Sequence, residues 1–357
     1  MPSQQMYLGG GKKPPYPTEQ SYTTPGTYTW IAPADIYNNV VAVVAVGAGG
    51  TGVGYGPGGG GGGLGYKNNI SVSSCTGYTV VVGGVPNGEH GDGGDSYFIN
   101  TSTVKGGGGG GSGNDSSGNV CTSSTVDLTT CAGGTGGTYT GDGGGNGGDG
   151  GTGGHNWSNS AYNSGPPHNW DSKFYPDCGG GGAGGYSGDG GDAYDVGSSM
   201  RNLYSGYAAG GGAGSGGGGG AGSSGWDPRT GWGGSSGTGG GGVGLLGEGT
   251  SGAASQGFSN SDLRNPDIGS QGLVTAVHHG QGGSGGTNST GGLGLTHGYH
   301  TRTAGNYGGG HARAGDAPSG SVKSGQGAVR IIWDHTDFST SRSFPTTNTG
   351  ELGDREL

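Results

Sequence analysis

Long apolar runs are missing from this chain, as are closely spaced cysteines, a basic stripe and any ten-residue stretch with a helical apolar period. Without about 18 consecutive apolar residues no membrane insertion is expected. The first residues, MPSQQMYLGGGKKPPYPTEQ, lack the apolar segment of a secretory signal, so synthesis and first folding are expected in a cytoplasm. Fourteen Lys and Arg stand against 24 Asp and Glu, a formal net charge of −10. Nucleic acid and anionic membrane surfaces are poor partners for such a chain. The four cysteines, Cys75, Cys121, Cys131 and Cys178, include no C-x-x-C pair to suggest zinc. Four reduced structural thiols is the simpler reading, and Cys121 with Cys131 is the pair placed for a local disulfide if the protein meets oxidant. No H-E-x-x-H or G-x-x-x-x-G-K-[ST] occurs, so the chain is read as no enzyme, with no catalytic residue, cofactor or metal assigned.

What the chain has is glycine: 103 of 357 residues, with only 27% hydrophobic, against a usual glycine share of about 7%. Collagen is excluded, because glycine does not fall at every third position and there are only 15 prolines. A solvated linker is the competing reading, but 18 Tyr, 6 Trp and 5 Phe together with clear β runs argue for order. Gly47, Gly49 and Gly52 match the dinucleotide fingerprint G-x-G-x-x-G. That fingerprint works only where a helix follows. Here Pro57 and the run Gly58 to Gly63 follow, and each glycine costs a helix about 1 kcal/mol and the proline about 3. The nucleotide reading fails.

The segments TYTWIAP, NNVVAVVAV, YKNNISVS, GYTVVVGG and DSYFIN within 27–100, and GAVRIIW at Gly327 to Trp333, are β-branched and aromatic runs bounded by Gly, Pro and Asn. They are expected to join, with the glycine region inserted between early and late strands. In NGGDGGTGGH, Asn146, Asp149, Thr152 and His155 stand three apart. A left-handed polyproline-II helix has three residues per turn, so these side chains align on one edge and the glycine faces stay bare for close approach. Such a helix makes no internal hydrogen bonds and needs neighbours. Tracts 58–63, 106–111, 143–154 and 216–220 are therefore expected to bond to one another. The expected fold class is all-β with packed polyglycine-II helices: a small β-sandwich-like portion carrying a glycine lattice, essentially without α-helix. The expected organisation is an N-terminal docking arm (1–26), the first β strands (27–100), a glycine-rich region with aromatic loops (101–320), a closing strand (321–334) and a polar tail (335–357).

The ordered set YTWIAP, VVAVVAVGAGGTG, a glycine run, LGYKNNISV, GYTVVVGG, GDGGDSYF, further glycine tracts and GQGAVRIIW resembles the glycine-rich domain of tailed-bacteriophage tail and tail-fibre proteins, over about Thr27 to Trp333. The ending RSFPTTNTG, Arg342 to Gly350, is similar to the C-termini of virion proteins from phages of marine cyanobacteria. The resemblance implies a virion location, contacts with other tail or fibre proteins, and recognition of a host surface protein or glycan by segments between the glycine tracts. The candidates on those segments are Trp157, Tyr162, His168, Trp170, Phe174, Tyr175, Tyr204, Tyr207, Trp226, Arg229, Trp232, Tyr299 and His300. Aromatics in these positions suit flat contact with sugar or protein. They equally suit covering the lattice or meeting neighbouring subunits.

Three further patterns have bland readings. The sequence GDGGD occurs at Gly91 to Asp95 and again at Gly188 to Asp192; calcium-binding β-rolls repeat such an element in tandem, so here each Asp is read as capping a turn into a strand. The histidines His278, His279, His297, His300 and His311 lack supporting acids and read as solvated loop. Asp171 and Asp177 offer the pair that a glycan depolymerase needs, a third reading behind adhesin and purely structural component.

Overall fold

The structure, a computed structural model, describes residues 18–52, 57–88, 90–113, 132–152, 178–194, 207–209, 212–222, 224–227, 234–235, 238–255, 282–286, 304–312, 324–335 and 342–346. Among the described residues there is no α-helix, and the fold is all-β. The strands are β1 (Glu19–Tyr22), β2 (Gly26–Ile31), β3 (Ile36–Val46), β4 (Leu64–Ser71), β5 (Gly77–Val82), β6 (Ser96–Phe98), β7 (Val104–Gly106), β8 (Tyr139–Thr140), β9 (Gly143–Gly145), β10 (Tyr207–Ala209), β11 (Ser224–Asp227), β12 (Gly234–Ser235) and β13 (Ala328–His335). One sheet runs β1-β13-β3-β4-β9, a second β2-β5-β6-β7-β8, and a third β10-β11-β12. All their ladders are antiparallel. As expected, the early and late runs meet: Val43 of β3 faces Ile331 of β13.

The run VVAVVAV is apolar on both faces because β3 is covered on both. Its Val41, Val43 and Ala45 face a core with Trp30, Val80, Phe98, Val104, Val329 and Ile331, which joins the two five-stranded sheets. Its Ala42, Val44 and Val46 face a second core with Tyr186, Val243, Leu245, Ile332 and Phe344. Away from the strands, that second core draws on Tyr186, Val243 and Leu245 from glycine-rich stretches and on Phe344 from the expected tail. Tyr186 is fully buried between Tyr66 and Phe344, its hydroxyl donating to Gly244 O at 3.2 Å. Burial pushes its phenol far above the ordinary tyrosine range, outweighing the Gly247 N–H and the Arg330 charge.

The glycine tracts carry the remaining backbone bonds. Consecutive N–H groups of 58–63 point to three different neighbours and return to the first at the fourth residue: Gly58 and Gly61 donate to Gly151 and Gly148, Gly59 and Gly62 to His311 and Gly308, Gly60 and Gly63 to Gly110 and Gly107. The carbonyls do the same with three others. Gly58 and Gly61 accept from Gly134 and Gly137, Gly59 and Gly62 from Gly181 and Gly184, Gly60 and Gly63 from Gly50 and Gly47. The tract therefore has six bonded neighbours, with N···O distances of 2.6–3.0 Å. This is the period of three that a three-residue turn requires. It leaves no room for side chains: a Cβ on Gly61 would lie 1.9 Å from Gly182 O. At the rim the same period shows as exposure, with Asn146 and Asp149 outward and Gly147, Gly148, Gly150 and Gly151 buried.

The structure corrects several expectations. The GDGGD aspartates cap neighbouring tracts and not turns of their own. Asp95 and Asp92 accept from the N–H of Gly108 and Gly111, and Asp189 and Asp192 from those of Asn146 and Asp149. At a rim, where the next tract is missing, a carboxylate stands in for its carbonyl. The first copy leads into a strand, β6, whereas the second is followed among the described residues only by Ala193 and Tyr194. Residues 143–145 begin their tract as β9, paired with β4. Gly216 and Gly217 form a turn at φ 50° and 79° before the tract resumes. Part of the expected docking arm is β1, on β13. The first glycine tracts lie within the expected β portion, and β7, β8 and β9 lie within the expected glycine region.

The closing strand runs on to His335, and the polar tail returns to the core at Arg342–Thr346. There Asn68 clasps Phe344 with both amide atoms, at 2.8 and 3.0 Å. The Arg342 Nη2 donates to Thr18 O, Thr18 Oγ1 and Trp333 O. Burial lowers the Arg342 pKa, countered by Glu19 and Asp334.

Candidate functional site

The fingerprint glycines form no anion cradle. The N–H groups of Gly47, Ala48 and Gly49 donate to Gly63, Gly94 and Gly325, so the lattice uses them. The lattice instead builds an end. Tracts leave the strands at Gly47, Gly63, Gly107 and Thr138 and run to a common level, where Thr51 donates to Gly91, Ser112 to Thr51, Gly113 to Ala132, Gly151 to Gly179, Gly180 to Thr238 and Gly222 to Gly180. Ser324 Oγ reaches Gly50 O at 2.9 Å at the same level. The described residues that flank 114–131, 153–177 and 313–323 thus lie together at the end remote from the two five-stranded sheets.

Side chains tie this end. Thr51 Oγ1 accepts the Gly91 N–H at 2.8 Å and donates to Gly88 O at 3.0 Å. The buried Cys178 thiol donates to Thr152 O at 3.3 Å, so the two residues flanking 153–177 are in contact. His90, held at φ 59°, places Nδ1 3.0 Å from Ser112 O and 2.9 Å from Ser112 Oγ. A carbonyl only accepts, so Nδ1 donates there and is no base toward the 4%-exposed Ser112. This contact ties His90 to the 106–113 tract.

The third sheet stands at the same end, because β10 leads to Gly212, β11 follows Gly222 and β12 leads to Thr238. Its register sets two sequence candidates opposite each other, Tyr207 and Trp226. Trp157, Tyr162, His168, Trp170, Phe174, Tyr175, Tyr204, Arg229, Trp232, Tyr299 and His300 lie outside the described residues, as do Cys121, Cys131, Asp171 and Asp177. His311, read as solvated loop, is instead fully buried in the lattice, its N–H on Gly50 O. Tyr194, an exposed aromatic (59%) beside the same end, is not among the candidates drawn from the sequence. Its signal was available: it closes the second GDGGD-x-Y, whose first copy ends in the half-buried strand residue Tyr97. Compared with known protein families and with curated proteins, the chain matches none.

Proposed function

We propose that the protein is a virion component of a tailed bacteriophage, a tail-fibre tip or tail-associated adhesin that contacts a host surface protein or glycan through the segments carried at the far end of the glycine lattice. The observation that supports this reading is the common level of the flanking residues, with Thr152 and Cys178 in contact and the Tyr207–Trp226 pair raised on its own small sheet. A lattice bonded on every face holds such segments on a rigid base, and Tyr and Trp give large contact areas at low entropic cost. The opposite end, built of β strands, is then the side that attaches to other virion proteins.

The test is Trp157→Ala with Trp170→Ala. Virions carrying the pair assemble normally and adsorb to host cells at least tenfold more slowly, since two aromatic anchors are worth roughly 2 kcal/mol or more at a binding surface. Particles that lack the protein, or fall apart while assembled ones adsorb normally, give the role to a structural component whose segments contact neighbouring subunits.

A further inference from the structure

At the end of the first sheet remote from the lattice, two irregularities open a cleft. Between the pairs Val41–Trp333 and Ile36–His335, β3 spends five residues against two of β13. Between Val41–Ile70 and Val43–Lys67, β4 spends three steps against two of β3. The additional residues include asparagines in the left-handed region, Asn38 and Asn39 at φ 51° and 54° on β3 and Asn69 at 53° on β4. Bulges re-aim side chains and recur beside binding sites, and asparagine is among the few non-glycine residues that tolerate the left-handed region.

The cleft has a volume of about 230 Å³ and is lined by Tyr37, Asn38, Asn69, Trp333, Asp334 and Arg342 among others. Its inner wall is buried, with Trp333 only 7% exposed, whereas Tyr37 is 39% exposed and Asn38 and Asn69 stand open at the rim. Arg342 lies along the wall, its Nε 4.0 Å from Asp334 Oδ1, close enough for charge attraction without a hydrogen bond.

We propose that this cleft binds a single neutral sugar ring. Its chemistry is mixed in the way a pyranose is: carboxylate and amide oxygens accept hydroxyl protons, amide N–H groups and the Tyr37 hydroxyl donate, and aromatic surface takes the C–H face. The volume is below the ~300–1,000 Å³ of sites for drug-sized ligands, which suits one ring. A peptide would need a strand edge, and β3, β4 and β13 are already paired here. An anion would meet Asp334 in a protein of net charge −10. The site lies at the opposite end from the segments of the adhesin reading and does not depend on it.

Glycine tolerates the left-handed conformation, so Asn38→Gly and Asn69→Gly remove the amides without disturbing the bulges. Saturation-transfer NMR of the full chain with glucose, galactose, mannose and N-acetylglucosamine at millimolar concentration reads the binding. Saturable transfer from at least one sugar is expected. The Asn38→Gly/Asn69→Gly double variant and Tyr37→Ala weaken it about tenfold or more, as the loss of two hydrogen bonds of ~1 kcal/mol each requires, with unchanged thermal unfolding. The Trp157→Ala/Trp170→Ala variant binds as the parent does. The proposal is overturned by no saturable transfer from any of the four sugars, by binding that survives in the cleft variants, or by binding lost with the two tryptophans.

Discussion

At the scale of single residues, a glycine in this protein is specified by what touches it. Gly61 lies inside six bonded neighbours, whereas a Cβ on Gly113 would meet Ala132 Cβ at 3.4 Å, an ordinary contact. Gly61→Ala therefore forces backbones apart and is expected to abolish cooperative unfolding or lower the midpoint drastically. Gly113→Ala leaves the midpoint within a few degrees, as surface changes of about ±0.5 kcal/mol do; thermal unfolding followed by circular dichroism separates the two. Composition alone announces both glycines equally. The run of six at Gly58 to Gly63 was legible as an interior tract, because only a tract with neighbours on all sides excludes every Cβ. The partners were not legible, since identical tracts carry no label saying which lies beside which. The GDGGD aspartates show the same limit: their spacing of three is in the sequence, but the N–H groups they accept belong to residues chosen by the lattice.

Among elements, β3 was the easiest to read and its second face the hardest. VVAVVAV states a strand buried on both sides, but the cover for Ala42, Val44 and Val46 comes from Tyr186, Leu245 and Phe344, apolar residues in short, glycine-rich or polar stretches that carry no periodic pattern. β1, Glu19 to Tyr22, escaped notice for a related reason. The stretch EQSY has no β signature, and its place is set by the ladder to β13 and by Glu19 meeting Arg330 and Arg342. Tyr186 makes the buried layer testable. Its proton is held more tightly in the folded state, so this part of the stability is intact below the unfolded pKa of 10.0 and is lost as pH rises above it. Urea unfolding is expected to show a stability decline beginning near pH 10 that Tyr186→Phe makes markedly smaller. A decline of the same size in both proteins would place its origin elsewhere.

For the molecule as a whole, the lattice separates what folds from what varies. Because Cys178 touches Thr152 across the intervening 153–177, the length of that segment matters little to the base, and each doubling of a flexible loop costs only about 0.6 kcal/mol. Replacing residues 155–176 by a short Gly/Ser linker is expected to leave the unfolding midpoint nearly unchanged while removing the contribution of Trp157 and Trp170 to adsorption. A large loss of stability would mean that the segment belongs to the fold.

The six-neighbour tract 58–63 also has a consequence in time. Its bonds go to tracts as early as Gly47 and as late as His311, so the tract cannot be satisfied until the chain as far as His311 has left the ribosome. Contacts so distant in sequence make folding slow, and an emerging chain would expose glycine backbone that pairs indiscriminately with any similar stretch. The native arrangement is then reached after synthesis, when β13 closes on β3, and nascent copies made close together are liable to exchange tracts before each has found its own.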